Sequence, residues 1–526
     1  MILGIDTGGT NVDAVLLDNR GIRGTAKVPN RETRASIRSV LEILRDGTDE
    51  FAVDRVVVAT TLIVNAAVQR RLPACTNILI PGPGLAPERA FFGEENHVAT
   101  GAVDHRGRVT EEVAYGAQPS HDVRAVTAKF SHRNPDLERA VRDDIAGDAE
   151  AVALGNESGA GLTFPERAAT TVANARSMPV FSAYEQAVEE ALGDVGVEAP
   201  IYYLKGDGSM LGDDAMVTSP AHTIRSGSAA SALGLVALTD LEAGVAVDIG
   251  GTTTDVARVV DGFPATETDV SEGDLDAAYP AVRATSLPIG GDTRIDWTND
   301  GPRLGDERVG NAVAFGGDHP TLTDALHVLG MFTAGDTDAA LAALEESAED
   351  PTTVAERILA EFESRVAQRI DETATTETKT LAVGGVLAPY LAPGLVDRAD
   401  AVTEHRVPDE AAVAGAVGCG VARVSVDTAL RIDSPRGVKT ITSVGPERVE
   451  SVPEGERFTD ARAREIALEA AREAAAAAGG QPERPAEILA YDRFSVVERS
   501  RVVGQIITAR ARVTPAIDRS LVGGSR

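Results

Sequence analysis

Short apolar runs alternate along the chain with longer segments in which apolar residues recur every three or four positions. The short runs predict buried strands, which are MILGI (1–5), VDAVLL (12–17), VVVAT (56–60), TNILI (76–80), VAVDI (245–249), TDVARVV (254–260) and TLAVGG (380–385). The periodic segments predict helices at 31–50, 62–71, 134–146, 165–176, 183–193, 228–240, 338–348, 352–372 and 410–424. Strands and helices in alternation indicate an α/β fold.

The last hundred residues follow a different pattern. DARAREIALEAAREAAAAAGG (460–480) predicts a strong helix that ends at glycine. Two extended runs follow at 487–501 and 502–515, so this part is predicted to be a small C-terminal α+β appendage. We place domain boundaries where the alternation of predicted strands and helices is least regular. This gives three predicted domains, 1–200, 201–430 and 431–526.

One short motif occurs twice, more than two hundred residues apart. Residues 4–13 read GIDTGGTNVD and residues 247–256 read VDIGGTTTDV, so Asp-x-Gly-Gly-Thr follows an apolar strand in both places. The glycines permit a tight turn with positive φ, after which a second apolar strand returns. One copy is equally well explained as a plain β-hairpin. Two copies, each with an acid at the strand end, predict two hairpins that face each other across one site.

The residue types of the doubled motif suit a triphosphate with Mg²⁺. Backbone N–H groups and threonine hydroxyls bind anions, and a strand-end carboxylate can hold Mg²⁺. The predicted phosphate-binding residues are Thr7, Gly8, Gly9, Thr10, Gly250, Gly251, Thr252 and Thr253. Asp6 and Asp248 are the predicted metal-binding residues. The chain has neither a GxxxxGK[ST] P-loop nor a GxGxxG turn after a strand, so a bound nucleotide must use the hairpins.

Three further segments complete an ordered set. RSGSAASALGLVAL (225–238) and AAVAGAVGCGVARV (411–424) predict helices of small residues, and TLAVGGVLAPYLAPGL (380–395) predicts a strand followed by Gly384–Gly385. The order hairpin, helix, hairpin, strand-Gly-Gly, helix resembles the actin–hexokinase–Hsp70 ATPase superfamily. The resemblance implies a two-lobed actin-like ATPase (ribonuclease H-like) fold with ATP and Mg²⁺ as cofactors. It also implies that Gly384 and Gly385 lie against adenosine and that the two helices cross at the hinge.

Six stretches over roughly residues 2–425 also resemble, in collinear order, the hydantoinase A/5-oxoprolinase family. They are VVVATTLIVNAAVQRR (56–71), FSHRNPDLE (130–138), KGDGSMLGDDAMVTSPAHTIRSGSAAS (205–231), DIGGTTTDVARV (248–259), SLPIGGDTRI (286–295) and HPTLTDALHVLG (319–330). The chain departs from the family pattern with Ser-Gly-Ser-Ala-Ala at 226–230, Gly-Gly-Asp at 290–292 and Leu137 before Glu138. These departures concern the predicted substrate side.

The family resemblance implies an ATP-dependent amidohydrolase that acts on a cyclic amide of the hydantoin or 5-oxoproline type. ATP would phosphorylate the ring carbonyl oxygen and water would then open the ring, which requires positioning and charge neutralisation. Asp6, Asp248 and Asp292 are the predicted catalytic residues. Asp255 is either a second acid or a structural partner on the return strand. Asp324 either orients water or caps the helix that follows it.

Two other functions stay open. One is a small-molecule kinase of the same superfamily, and the other is a regulatory ATPase whose lobes close on a partner protein. No pair of the eight histidines has metal-ligand spacing, and neither cysteine belongs to a CxxC motif, which argues against a metal-dependent cyclic amidase. The lack of a GxSxG elbow argues against a serine hydrolase. A second hydantoinase-type subunit and a homo-oligomer both stay open as assemblies.

Net charge, apolar run length and lysine content indicate which partners and which cell compartment to expect. A net charge of −31 argues against nucleic acid and anionic membranes as partners. The longest apolar run, 411–422, is too short to span a bilayer, and the N-terminus begins directly on a strand, so we expect a cytoplasmic protein.

Only five of the 50 basic residues are lysine, which together with the acidic excess is typical of haloarchaeal proteins. The alternative is an ordinary acidic enzyme from a high-GC genome.

We expect the chain to lose structure in dilute buffer and to gain stability with salt. The reason is that salt screens the self-repulsion of a net charge of −31. The melting temperature followed by circular dichroism should rise by several degrees between about 0.1 M and 2 M KCl. A melting temperature that does not change with KCl would contradict this expectation.

Overall fold

The two copies of the Asp-x-Gly-Gly-Thr motif lie in two separate sheets. The structure is a computed structural model, and it describes residues 1–48, 51–159, 162–299, 301–308, 310–345, 349–375, 378–443, 448–481 and 484–523. The strands of the first region are β1 (Ile2–Thr7), β2 (Asn11–Asp18), β3 (Gly21–Pro29), β4 (Arg55–Thr60), β5 (Cys75–Ile80), β6 (Glu95–Val98), β7 (Thr100–Val103), β8 (Val109–Ala114), β9 (Val123–Ala128), β10 (Ala151–Leu154), β11 (Ile201–Leu204) and β12 (Met210–Gly212). Its helices are α1 (Thr33–Asp46), α2 (Leu62–Val68), α3 (Asp136–Ile145), α4 (Phe164–Asp194) and α5 (Asp213–Thr218).

The first sheet carries the first copy of the motif in its central strands. Its order is β12-β11-β4-β1-β2-β3, and β1 is antiparallel to β2 and parallel to β4. Side chains such as Leu3, Ile5 and Val57 are fully buried. Burial on both faces of a sheet explains why these strands read as almost continuous apolar runs.

The second region contains the second copy. Its strands are β13 (Gly244–Ile249), β14 (Thr254–Val260), β15 (Phe263–Pro264), β16 (Thr266–Glu267), β17 (Val270–Glu272), β18 (Leu275–Ala277), β19 (Ala281–Val282), β20 (Ala284–Leu287), β21 (Thr293–Thr298), β22 (Gly301–Arg308), β23 (Thr380–Gly384) and β24 (Glu404–Arg406). Its helices are α6 (Ser226–Thr239), α7 (Leu322–Val328), α8 (Thr337–Glu345), α9 (Pro351–Thr373), α10 (Ala388–Arg398) and α11 (Ala414–Val421).

The second sheet repeats the topology of the first. Its order is β15-β14-β13-β23-β24, with β20 also paired to β14. β13 is antiparallel to β14 and parallel to β23, as β1 is to β2 and β4. Two sheets with the same strand order and directions confirm the predicted two-lobed actin-like (ribonuclease H-like) fold.

The two small-residue helices pack backbone against backbone. A Cβ atom at Gly234 of α6 would lie 1.8 Å from the Ala414 carbonyl oxygen, and one at Gly418 of α11 would lie 1.8 Å from the Ala230 carbonyl oxygen. α11 also packs directly on β1, where a Cβ atom at Gly4 would lie 2.2 Å from the Ala416 carbonyl oxygen. Glycine at these positions therefore fixes the spacing between the lobes, as the sequence predicts for crossing helices.

A unit inserted between β4 and β11 has its own parallel sheet, β10-β9-β5-β6. The sequence predicts two helices after it, at 165–176 and 183–193, but the structure has the single 31-residue helix α4. This helix continues through Pro179. Proline lacks the N–H that would bond one turn back, and here the loss is outweighed because apolar neighbours such as Phe181 and Val188 are fully buried.

The C-terminal appendage is confirmed as an α+β unit. Its strands are β25 (Asp427–Asp433), β26 (Val438–Thr442), β27 (Arg448–Ser451), β28 (Ala486–Glu498) and β29 (Arg501–Val513), and its helix is α12 (Asp460–Ala477). The sheet order is β27-β26-β25-β29-β28, and alanines of α12 such as Ala463, Ala467 and Ala471 pack against Leu430 and Ile507.

Some element boundaries differ from the sequence prediction. The short strands β15 to β22 are not predicted, because each spans only two to eight residues without a long apolar run. The helix predicted at 410–424 begins at Ala414. The division after residue 200 separates β11 from the sheet to which it is hydrogen-bonded, and the division after residue 430 falls inside β25. Within the described ranges, no helix is both long and apolar enough to cross a membrane.

Gly418→Ala should destabilise the protein by about 1–3 kcal/mol or more, because the added methyl group would overlap the α6 backbone. Gly193→Ala is the matched control, since a Cβ atom there meets nothing within 4 Å, and it should be neutral or stabilising by up to about 1 kcal/mol. Urea unfolding in high salt measures both free energies of unfolding. Equal effects of the two substitutions would contradict the tight helix crossing.

Candidate active site

The first Asp-x-Gly-Gly-Thr segment forms a hairpin with a two-residue loop. The Gly8 N–H donates to the Asn11 carbonyl oxygen at 3.0 Å, which leaves Gly9 and Thr10 as the loop. In the strand register below this loop, Asp6 on β1 lies opposite Asp13 on β2. The hairpin therefore presents two carboxyl groups beneath its tip.

The second segment repeats this arrangement. The Gly250 N–H donates to the Thr253 carbonyl oxygen at 2.9 Å, and Asp248 on β13 lies opposite Asp255 on β14. The doubled sequence motif thus corresponds to a doubled structural unit with four aspartates in all.

The two hairpin tips meet across a cleft between the lobes. The hydroxyl oxygens of Thr10 and Thr252 lie 3.2 Å apart, within hydrogen-bond distance. The cleft has a volume of about 880 Å³. The predicted site residues that line it are Asp6, Gly8, Gly9, Thr10, Asp248, Gly250, Gly251, Thr252, Thr253, Asp292 and Gly385.

Thr7 and Gly384 are the two predicted residues that do not line the cleft. Thr7 is 5 % exposed, and its hydroxyl oxygen accepts a hydrogen bond from the Tyr184 hydroxyl at 2.7 Å. Gly384 lies behind Asp248, because a Cβ atom there would be 3.2 Å from Asp248 Oδ1. Both residues support the site from beneath and do not face it.

The hairpin glycines do not adopt the positive φ that the sequence predicts. None of Gly8, Gly9, Gly250 and Gly251 has a left-handed backbone conformation, whereas Gly385 has a φ of +96°. Close packing gives one reason for glycine at these loops. A Cβ atom at Gly251 would lie 2.6 Å from Asp292 Oδ2.

The loop amides are the candidate anion donors of the two hairpins. The N–H groups of Gly8 and Gly250 are used within the turns, so they are not offered to a ligand as the sequence predicts. The N–H groups of Gly9 and Thr10, with those of the matching loop residues 251–252, have no hydrogen-bond partner in the described part of the chain. The anion site therefore lies at the two loops themselves.

Asp6 has the most perturbed environment of the four aspartates. Burial, followed by the negative charges of Asp13 and Asp248, raises the pKa of Asp6 to about 8. Its Oδ1 atom is buried and has no hydrogen-bond partner among the described residues. Burial also raises the pKa of Asp248 to about 6, although the Ser231 hydroxyl donates a hydrogen bond to this carboxyl group. The charge of Asp248 acts on Asp6, and both carboxyl groups line the same cleft.

The remaining aspartates of the hairpins have protein partners. Lys27 donates to both oxygens of Asp13, at 2.8 and 2.7 Å, and to the Ala412 carbonyl oxygen at 3.0 Å. The Ser228 hydroxyl donates to Asp255, whose pKa burial raises. One lysine among four carboxyl groups, with an orphaned oxygen on Asp6, fits a site that accepts a divalent cation.

Asp292 and Asp324 take different positions. The Asp292 N–H donates to the Gly251 carbonyl oxygen at 2.7 Å, which places its carboxyl group beside the second loop and 3.5 Å from Arg308. Burial raises the pKa of Asp292, and Arg308 acts in the opposite direction. Asp324 is the third residue of α7 and forms its capping box with Thr321, so it caps the helix that contains it, whereas the N-cap residue itself is Thr321.

Family comparison agrees with this geometry. The family profile described as "Hydantoinase/oxoprolinase" matches residues 167–428, and the profile of the "Hydantoinase/oxoprolinase N-terminal region" matches residues 2–147. The chain belongs to the hydantoinase/oxoprolinase family.

Solved structures with the same fold cover almost the whole hydantoinase/oxoprolinase chain. A nucleotide-free acetone carboxylase has a TM-score of 0.71 at 16 % identity, covering 99 % of this chain and 88 % of that one. The ATP-dependent caprolactamase of Pseudomonas jessenii has a TM-score of 0.65 at 18 % identity, with the same coverage of 99 % and 88 %. At these identities the likeness establishes the fold.

The match to a curated relative covers a smaller part of the chain. An uncharacterized protein of Methanocaldococcus jannaschii is 25 % identical over 237 residues, which are 40 % of this chain and 34 % of that protein. The match thus spans about a third of the relative's length.

Several cleft residues of this hydantoinase/oxoprolinase chain escape sequence reasoning. They are Lys27, Arg71, Ser228, Ser231, Arg308, Phe315, Phe332, Val386 and Leu387. Asn65, which the sequence indicates is a polar helix residue and not a ligand contact, also lines the cleft. Lys27 had a detectable signal, because hairpin register places it directly across from Asp13 on the neighbouring strand. The others come from scattered segments that only the tertiary structure brings together.

Asp6→Asn should stabilise the nucleotide-free, Mg²⁺-free protein, and the gain should grow with pH. The folded state keeps the Asp6 proton up to a pKa of about 8, whereas the unfolded chain loses it near 3.8, so wild-type stability falls as pH rises between these values. We expect a gain of about 1–3 kcal/mol at pH 8 and a smaller gain at pH 5. Urea unfolding with EDTA at both pH values measures it.

The exposed Asp144 of α3 provides the control for Asp6. Asp144→Asn removes the same formal charge and should change the free energy of unfolding little at either pH. A gain for Asp6→Asn that does not depend on pH would contradict the buried, proton-bound carboxyl group.

Proposed function

We propose that this protein is an ATP-dependent amidohydrolase that phosphorylates the carbonyl oxygen of a cyclic amide of the hydantoin or 5-oxoproline type. The observation that carries the proposal is the contact between Thr10 and Thr252, which brings two anion-binding loops and four aspartates to one cleft. Membership of the hydantoinase/oxoprolinase family supports a cyclic amide as substrate. A protein of the same fold is an ATP-dependent caprolactamase, which supports the same substrate class.

The hairpin loops would hold the phosphates of ATP. The unpaired N–H groups of Gly9 and Thr10 and their counterparts at 251–252 can donate to phosphate oxygens from both lobes. Asp6 and Asp248 would hold Mg²⁺, which neutralises phosphate charge when bound. A cation beside Asp6 favours the ionised form of its carboxyl group, which is otherwise disfavoured by burial. The carboxyl groups of the cleft are therefore suited to binding Mg²⁺.

The apolar part of the cleft would take the adenosine. Val386 and Phe315 are 43 % and 48 % exposed, although both are large apolar side chains. They line the cleft together with Leu387 and Phe332, next to Gly385. Flat apolar walls of this kind suit a purine ring.

The substrate would lie on the side of the first lobe. Asn65 and Arg71 reach this part of the cleft from α2 and the loop after it, and Ser228 and Asp255 approach from the second lobe. In the proposed reaction the amide carbonyl oxygen attacks the terminal phosphorus, and ADP leaves. Water then adds to the activated carbon, and the C–N bond breaks to give a free amine and an acyl phosphate. A second water hydrolyses the acyl phosphate to a carboxylate and inorganic phosphate.

Asp292 would assist the water step, whereas Asp248 would stay ionised as a ligand of Mg²⁺. Without the metal the pKa of Asp248 is about 6, so its carboxyl group is already ionised near neutral pH. Asp292 lies beside the second loop and is held by Arg308. The crossing of α6 and α11 would act as the hinge on which the lobes close and exclude bulk water.

ATP hydrolysis should be coupled to ring opening when the protein is assayed in high salt with 5-oxoproline, hydantoin and caprolactam. Phosphate release and ring opening, followed by NMR, should occur in equal amounts. Asp248→Asn should lower kcat by about 10²- to 10³-fold, because it removes a carboxylate that acts on the transferring phosphate. Asp144→Asn, on the exposed face of α3, should leave kcat unchanged.

Calorimetric binding of MgADP tests the same site without any companion subunit. Asp248→Asn and a bulky Gly251→Val should both abolish MgADP binding. Wild-type protein that does not bind MgADP would refute the proposal. A stable phosphorylated product would instead identify a kinase, and ATP hydrolysis that only a protein stimulates would identify a regulatory ATPase.

A further inference from the structure

Three carboxyl groups converge at a place outside the nucleotide cleft. Glu185 and Glu189 lie one turn apart on α4, and Asp213 is the first residue of α5. Each offers one oxygen, and these oxygens all lie within 4.8 Å of one another. Neighbouring acids on α4 are neutralised by Arg34, but in the described residues these three have no ion-pair partner.

An unsatisfied buried hydroxyl group lies next to the same cluster. Tyr203 is fully buried, and its Oη atom has no hydrogen-bond partner among the described residues. Its ring packs against Phe181 and Tyr184, directly before Glu185 on α4, and its strand β11 pairs with β12, which leads into Asp213. Burial raises the pKa of Tyr203, and the three carboxyl groups contribute in the same direction. Asp213 Oδ1 is also buried without a partner.

We propose that Glu185, Glu189, Asp213 and the hydroxyl of Tyr203 form a binding site for a divalent cation that is separate from the nucleotide's metal. The Tyr203 hydroxyl oxygen and three carboxyl groups that have no basic partner among the described residues supply only oxygen ligands, which suit a hard cation.

The chemistry of the site favours Ca²⁺ over Mg²⁺. Ca²⁺ accepts six to eight oxygen ligands in irregular geometry, whereas Mg²⁺ requires a near-ideal octahedron. Here the ligands come from three separate elements, and the exposed Glu189 leaves room for water to complete the shell. Like charges at this spacing repel one another, so a bound cation converts a destabilising cluster into a link between α4 and α5.

The site also has a direct structural path to the first phosphate hairpin. The ring of Tyr203 packs against Tyr184, with ring centroids 6.3 Å apart. The Tyr184 hydroxyl donates to Thr7 Oγ1, the residue that follows Asp6. A cation that fixes α4 therefore supports the hairpin from behind.

Calorimetric titration of CaCl₂ into EDTA-treated, nucleotide-free protein at constant ionic strength tests the proposal. Wild-type protein should show a saturable site that Asp248→Asn and Asp144→Asn both retain, whereas any Ca²⁺ bound in the nucleotide cleft is lost in Asp248→Asn. Glu189→Gln and Asp213→Asn should weaken binding by at least about tenfold, since each removes a charged ligand. The absence of a saturable site would overturn the proposal, as would its loss in Asp248→Asn or equal binding by all variants, which indicates adventitious ions only.

Melting temperatures separate a cation site from a merely structural cluster. In EDTA, Glu189→Gln should melt at or above the temperature of wild type, because one repelling charge is gone. With Ca²⁺ the order should reverse, because only wild type gains the full stabilisation. Tyr203→Phe, which removes only the hydroxyl, should bind Ca²⁺ more weakly yet fold normally in EDTA. A Glu189→Gln protein that melts below wild type by the same amount in both conditions would overturn the proposal.

Discussion

The backbone contact between α6 and α11 is the constraint on which the rest of the structure depends. Each helix presents a glycine where the other presents a carbonyl oxygen, at Gly234 with Ala414 and at Gly418 with Ala230. Helix α11 also packs directly on β1 at Gly4. It therefore holds the first hairpin at a fixed position relative to the second lobe. Larger side chains would separate the two lobes, and the loops at Thr10 and Thr252 would no longer meet.

The packing of the two lobes brings several carboxyl groups close together in the cleft. Their burial and mutual repulsion determine which of them are ionised. Asp6 is buried beside two other acids and holds its proton to a pKa of about 8, whereas Asp13 is paired with Lys27. Among the described residues, five aspartates and three basic side chains line the cleft, and an excess of carboxyl groups favours a bound metal ion. The cluster of Glu185, Glu189 and Asp213 shows the same imbalance on a smaller scale behind the first hairpin.

Two of the three departures from the hydantoinase/oxoprolinase pattern fall on the cleft itself, whereas Leu137 is buried in the core of the inserted unit. Ser228, in the Ser-Gly-Ser-Ala-Ala segment, donates a hydrogen bond to Asp255. Asp292, in the Gly-Gly-Asp turn, lies beside the loop of the second hairpin and contacts Arg308. Both changes add polar groups next to the place where the transferred phosphate and the substrate are proposed to meet, so they bear on which ring this chain accepts.

The sequence by itself determined the features that depend on local pattern. The strands that carry Asp6 and Asp248, the doubled turn, the small-residue helices and the α+β appendage all follow from periodicity and glycine placement. Tertiary structure alone decided which way each group faces. Thr7 turns to Tyr184 and leaves the cleft, α4 runs through Pro179 because its surroundings bury it, and the turn glycines keep ordinary φ values. Contacts such as those of Phe315, Arg308 and Tyr203 join residues from distant segments, and no local pattern contains that information because it arises only when the lobes pack.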